Sequence, residues 1–184
     1  MRCFHYKLAN VACTTIAVAV LTLSGLSNSW AQEKHKYFFK APPGTTKYTQ
    51  QLALDIGDVP GHQIRVFETH SKFTTEAPEF FGVKAKEQWA RLTTDYILGS
   101  GAASGYAEFV MENGDRIFGR TQLQTQARAG QDGAKTVQYT SVLALTGGTG
   151  QFKGIRGILL SSGGTDLKIG TSNVQTDGEY WFEK

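Results

Sequence analysis

The sequence predicts an all-β protein, a barrel or sandwich, on three observations. Apolar residues recur with period two along most of the chain, and no helical stripe stands out. Gly, Asn and Asp cluster between these runs at regular intervals, as turns between short strands do. Gly147-Gly148-Thr149-Gly150-Gln151-Phe152-Lys153-Gly154-Ile155-Arg156-Gly157 holds five glycines and directly follows an alternating run, Thr136 to Thr146. Glycine reaches positive φ and lets other segments approach closely. Such density between two strands implies a specific backbone path, not a slack linker.

Taken in order, residues 1–31 read as a signal peptide. Arg2 and Lys7 give a positive start, Leu8 to Leu26 is apolar and uncharged, and Ser29-Trp30-Ala31 places small residues where a signal peptidase reads. Export to the periplasm or the extracellular space follows as an expectation, with no stable membrane insertion after cleavage. Cys3 and Cys13 both fall in this segment, so the mature chain is expected to fold without a disulfide. Arg2 and Lys7 are two of 19 basic residues, which leaves 17 against 16 acidic ones. That balance, with no Lys/Arg run, gives no reason to expect nucleic acid as a partner.

Residues 32–47 mix charge with Pro42-Pro43 and read as a partly ordered arm, in which Tyr37-Phe38-Phe39 is a short edge strand or an apolar clamp. Residues 48–184 read as one β domain. Tyr48 to Ile56, His62 to Phe73 and Lys84 to Leu98 are strands, the last with room for a bulge, and Ala77 to Phe81 is the one candidate helical turn. Gly99-Ser100-Gly101 breaks the third strand, and Gly105 to Met111 begins another. Tyr106 to Gln126 is a hairpin with Asn113-Gly114 at its tip, a pair that suits two positive φ angles. Turns follow at Gly130-Gln131-Asp132-Gly133, Gly163-Gly164 and Asp177-Gly178. Phe152, set between glycines, is positioned to plug one end of a barrel.

The segment Gly147-Gly148-Thr149-Gly150-x-Phe152-x-Gly154-Ile155-x-Gly157 resembles the glycine-rich motif of the allene oxide cyclase and dirigent proteins. Asp95 to Gly101 followed by Gly105-Tyr106, and the hairpin tip Asn113-Gly114-Asp115, are similar too. The resemblance spans about residues 60 to 160 and implies an all-β fold, a small antiparallel eight-stranded β-barrel. It further implies a small hydrophobic ligand (a lipid, polyketide or phenolic) in the lumen. Allene oxide cyclases guide an unstable fatty-acid epoxide into a ring by confinement, and dirigent proteins steer phenoxy-radical coupling or quinone-methide cyclisation. Neither uses a metal or an organic cofactor, so none is expected. Families of this fold often associate as dimers or trimers through barrel sides. Their functional residues lie outside the glycine motif, and none transfers by position to this chain.

The residues themselves offer few sites of chemistry. His35, His62 and His70 are the histidines outside the leader; eight strand residues separate His62 from His70 by ~26 Å, too far to share an ion. No Gly-x-Ser-x-Gly and no Gly-Lys-[Ser/Thr] occurs. If Ile64 and Val66 face inward, Glu68 and His70 do as well and could form an acid–base pair. The opposite face, with Phe67, Thr69, Ser71 and Phe73, is an equally acceptable interior. Asp95 and Tyr96 point to opposite sides of their strand, so only one enters a lumen without a bulge. Glu68, His70 and Asp95 are thus the catalytic candidates, and Tyr96, Tyr106 and Tyr139 the ligand-binding candidates. An arginine inside would need a carboxylate, and Asp95 or Glu108 could serve.

Three function classes remain. One is an exported barrel that binds a hydrophobic molecule, with or without directing its cyclisation or coupling. The second is a structural or interaction protein whose barrel is filled by side chains. The third, an outer-membrane barrel, needs a continuous apolar outer band. Thr121-Gln122-Leu123-Gln124-Thr125-Gln126 cannot supply one.

Overall fold

Period-two patterning becomes strand almost throughout. The computed structural model describes residues 32–129, 135–166 and 171–183. Its strands are β1 (His35–Ala41), β2 (Thr46–Asp55), β3 (His62–Lys72), β4 (Glu79–Phe80), β5 (Val83–Ile97), β6 (Ser100–Met111), β7 (Arg116–Ala129), β8 (Lys135–Gly148), β9 (Ile155–Asp166) and β10 (Thr171–Phe182). A single 3-10 turn, Gly150–Phe152, interrupts them. The signal-peptide expectation for residues 1–31 and the turn at Gly130-Gln131-Asp132-Gly133 lie outside the described residues.

All pairings are antiparallel, in the order β1-β10-β9-β8-β7-β6-β5-β3-β2, with β4 paired to β5 alone. The fold is the expected all-β, barrel-like one, with more than eight strands and a sheet that does not close. Its edges, β1 and β2, share no ladder. Tyr37-Phe38-Phe39 lies in edge strand β1, paired to Gly178, Asp177 and Thr176, so this part of the N-terminal segment belongs to the sheet.

One end of the roll is solid. Phe80, Phe109, Met111, Ile117, Phe152, Ile155 and Leu159 are buried together there. Phe80 stacks on Tyr37 at 4.8 Å between ring centroids, and the Tyr180 hydroxyl accepts from the Phe81 amide at 2.7 Å. Full burial of such side chains contributes roughly 1.5–3 kcal/mol each.

Several turns differ from expectation. Ala77 to Phe81 forms no helical turn. Glu79 and Phe80 pair with Lys84 and Val83, and Phe81-Gly82 makes the turn with φ of 48° and 78°. Leu98-Gly99 turns the same way at 53° and 86°, so β6 begins at Ser100, earlier than predicted. Both are two-residue hairpin turns with positive φ at each centre, which bulky Phe and Leu disguise in the sequence. At Asn113-Gly114 only the glycine is positive, at 87°. The Gly114 amide donates to the Met111 carbonyl at 3.0 Å, leaving a three-residue loop closed by a left-handed glycine. Gly163-Gly164 and Asp177-Gly178 are not turns: they lie inside β9 and β10. A Cβ at Gly178 would collide with the Ile158 carbonyl across the ladder, so that glycine serves close strand approach.

The glycine motif interlocks with the β6–β7 hairpin. Asp115 accepts hydrogen bonds from the Gln151 amide at 3.2 Å and the Thr149 hydroxyl at 3.4 Å. The Thr149 hydroxyl oxygen in turn accepts from the Arg116 amide at 2.9 Å. Gly150, at φ 51°, has no room for a side chain because the Asp115 carboxylate fills the space. Phe152 then drops into the core, fully buried.

Candidate functional site

Strand alternation decides what enters the lumen. On β3 the inward face is Gln63, Arg65, Phe67, Thr69 and Ser71. On β5 it includes Gln88, Ala90, Leu92 and Tyr96, and on β8 Val137, Tyr139, Ser141 and Leu143. These and residues from β1, β2, β6, β7, β9 and β10 surround a cavity of about 780 Å³. It reaches from the buried end, at Phe109 and Leu159, to Gly61, Leu98 and Gly99 in the opposite turns.

A register shift between Tyr48 and Gln50 lets both Tyr48 and Gln51 line this space despite their odd separation. The Tyr48 ring meets Phe67 edge-on at 5.3 Å. The Tyr96 hydroxyl shares a 2.9 Å hydrogen bond with the Thr125 hydroxyl, and Thr125 sits opposite Tyr139 in the β7–β8 ladder. Burial, with a smaller effect of Tyr48, pushes the Tyr139 hydroxyl up to about 12. Desolvation and Tyr96 push the Tyr48 hydroxyl up as well, while the Arg65 guanidinium pulls it down. The Tyr48 and Tyr139 phenols therefore stay protonated at neutral pH and can donate hydrogen bonds.

Among the described residues, Arg65 is the one charged residue in the lining. Its Nε donates to Gln63 Oε1 at 2.9 Å, and the same amide donates through Nε2 to Asp55 at 2.7 Å. Among the described residues no carboxylate pairs with it directly, and neither Asp95 nor Glu108 fills that role. Glu108 instead meets Arg91 and Arg116 outside the lumen.

Of the ligand-binding candidates, Tyr96 and Tyr139 line the cavity and Tyr106 does not. Tyr106 alternates with inward Ala107 on β6 and so faces out, with the Arg120 guanidinium 5.5 Å from its ring. The catalytic candidates are not brought together inside. Glu68 and His70 share the outer face of β3, because the alternative interior, that of Phe67, is the one used. Glu68 accepts from Thr49 at 2.7 Å and from Arg91 at 2.8 Å. The Thr49 hydrogen bond first, then Arg91, hold its carboxyl below the ordinary value against desolvation, the reverse of what a general acid needs. His70 stacks on Trp89 at 3.8 Å and meets Glu87 at 3.1 Å. Asp95 opposes inward Tyr96 and also faces out.

Asp95 completes a clamp on the outside. His62 Nε2 lies 2.8 Å from Asp95 and Nδ1 lies 2.6 Å from Asp58, which ties the β2–β3 turn to β5. The hydrogen bonds to Asp95 and then Asp58 raise the His62 pKa above 6.5, and the bond to His62 lowers the Asp58 pKa below 3.8. The His62 contribution is full below about 6.5 and is lost as pH rises through the raised value. The Asp58 contribution is present above its ordinary value and is lost as pH falls through the lowered one. The stability advantage of wild type over His62→Gln is therefore expected to peak near pH 5–6 and shrink by pH 9. Melting curves across that range check it; a constant difference would refute the charged clamp.

Among the described residues, no group of three His, Cys, Asp or Glu is placed to hold a metal ion, and no helix is long and apolar enough to cross a membrane.

No family model matches the chain, and no curated protein matches it by sequence. Among solved structures, the pterocarpan synthase dirigent protein GePTS1 is similar in fold. The match covers 94% of this chain and 100% of that one, with a TM-score of 0.51 and 12% sequence identity. This supports the dirigent-like fold that the glycine motif suggested, and the fold alone.

Proposed function

We propose that this chain is an exported protein that takes up a small apolar molecule in the lumen of its barrel-like sheet, without a cofactor. The cavity carries the proposal. Its volume of about 780 Å³ lies within the ~300–1,000 Å³ typical of small-molecule sites. Its walls are largely apolar and aromatic, interspersed with Thr, Ser and Gln side chains that can hydrogen-bond a guest. A barrel filled by its own side chains would leave no such space, which weighs against the purely structural alternative.

A directing role is the extension of this reading, in line with the fold. Among the described residues no carboxylate lines the lumen, so a reactive guest would be steered by the shape of the walls and by the Tyr48, Tyr96 and Tyr139 hydroxyls. Burying ~200 Å² of apolar guest contributes ~5 kcal/mol before ordering costs. Protein purified from cells expressing the full chain is therefore expected to bind the neutral fluorophore N-phenyl-1-naphthylamine at one site per chain. The affinity should lie between micromolar and millimolar, and an aliphatic competitor should displace the dye. Absence of saturable, displaceable fluorescence would overturn the proposal.

A further inference from the structure

We infer that the lumen selects an organic monoanion, a carboxylic acid with an apolar body, and that Arg65 is the residue that imposes this choice. The inference rests on the lumen-binding reading above and names its ligand class.

Arg65 stands apart from the other luminal residues. Among the described residues it carries the only charge in the lining, in walls otherwise made of aromatic, aliphatic and neutral polar side chains. A charge held against apolar walls is costly unless a counter-charge and hydrogen bonds compensate it. Outside the lining, Arg91, Arg116 and Arg156 each meet a glutamate, while Arg120 lies over the Tyr106 ring and Arg128 bonds Gln126. For Arg65 the only side-chain acceptor among the described residues is the neutral Gln63 amide, which takes both Nε and Nη2. A guanidinium has five donors, so the side of the fork turned from Gln63 is left for a guest.

That fork is also held in place. Asp55 accepts from Gln63 Nε2, which turns the amide oxygen toward Arg65. Asp55 is thus linked to Arg65 by way of the Gln63 amide, with no direct ion pair between them. A carboxylate, planar and with two acceptor oxygens, matches a guanidinium better than any neutral head group. Arg65 lies two residues inward of Gln63, near the turn that contains Gly61, while Phe109 and Leu159 close the far end. The guest therefore lies with its acid group toward the turn end and its apolar body toward the core.

Displacement of N-phenyl-1-naphthylamine by decanoate and by 1-decanol tests this, in wild type, Arg65→Met and Arg65→Lys, with circular dichroism confirming that each variant is folded. The two competitors share a chain and differ in the charge of the head. Wild type is expected to bind decanoate at least about tenfold more tightly than decanol. Arg65→Met should abolish that preference, because decanoate loses far more affinity than decanol. Arg65→Lys should keep part of it, since the charge remains but the fork is lost. Equal binding of acid and alcohol by wild type, or a preference that persists in Arg65→Met, would overturn the role of Arg65 while leaving lumen binding intact. Failure of the dye to bind any variant would overturn lumen binding itself, and this inference with it.

Discussion

Phe152→Ala is expected to cost ~3–5 kcal/mol, a large share of the ~5–15 kcal/mol that holds a domain of this size together. Phe152 is fully buried, in one cluster with Ile117, Ile155 and Leu159. The backbone around it is fixed by the Asp115 carboxylate and by Gly148, Gly150 and Gly154, where an added Cβ would press on that carboxylate or on a backbone carbonyl, so the void cannot collapse cheaply. Gly154→Val should be comparably harmful. Gly154 has φ of 79°, and a Cβ there would lie 2.8 Å from the Glu183 carbonyl oxygen. Val142→Ala, on the outer face and 43% exposed, is the control and should shift stability by less than about 0.5 kcal/mol. Denaturant midpoints of the three variants check this. If Phe152→Ala and Gly154→Val unfolded with the control, the glycine motif would not be the architectural element described here.

The largest functional effect is expected from Ser141→Trp. Ser141 lines the cavity and pairs across its ladders with Leu123 and Ser161, which line it too. An indole at that position occupies the space a guest needs. Binding of N-phenyl-1-naphthylamine should fall below detection while the protein stays folded, because a ring entering an open apolar cavity gains contacts instead of forcing its neighbours apart. Undiminished dye binding by the folded variant would show that the dye sits elsewhere.

The class of fold was legible because it rests on signals that do not depend on distant contacts. Alternation along β8 from Thr136 and the density of glycine after Thr146 each constrain the local backbone. Turns were legible where glycine supplied a positive φ in a polar setting, as at Gly57 to Gly61. They were hidden where Phe81 and Leu98 share that conformation with the glycine that follows, since nothing local reveals that the fold holds a bulky residue there. Gly163 and Gly178 misled for the opposite reason. Their need is for space beneath a neighbouring strand, which no local pattern reports.

The site was less legible than the fold. Tyr96, Tyr106 and Tyr139 were all candidates because phenols suit a cavity wall; the first and last line the cavity, while Tyr106, of the same type and strand context, faces out. On β3 two faces were equally apolar, Ile64 and Val66 against Phe67 and Phe73. Choosing between them decides whether Glu68 and His70 or Arg65 enters the lumen. Only the curl of the whole sheet makes that choice. Tyr48 lay beyond sequence reasoning altogether, because the bulge at Tyr48/Gln50 resets the parity of β2.

A crystal structure of the protein, purified after expression of the full chain and soaked with 10-bromodecanoic acid, tests the central claim most directly. Anomalous bromine density is expected inside the lumen toward Phe109 and Leu159, with the carboxylate at Arg65. Bromine on the outer face alone, or an interior filled by side chains with no room for the acid, would contradict it.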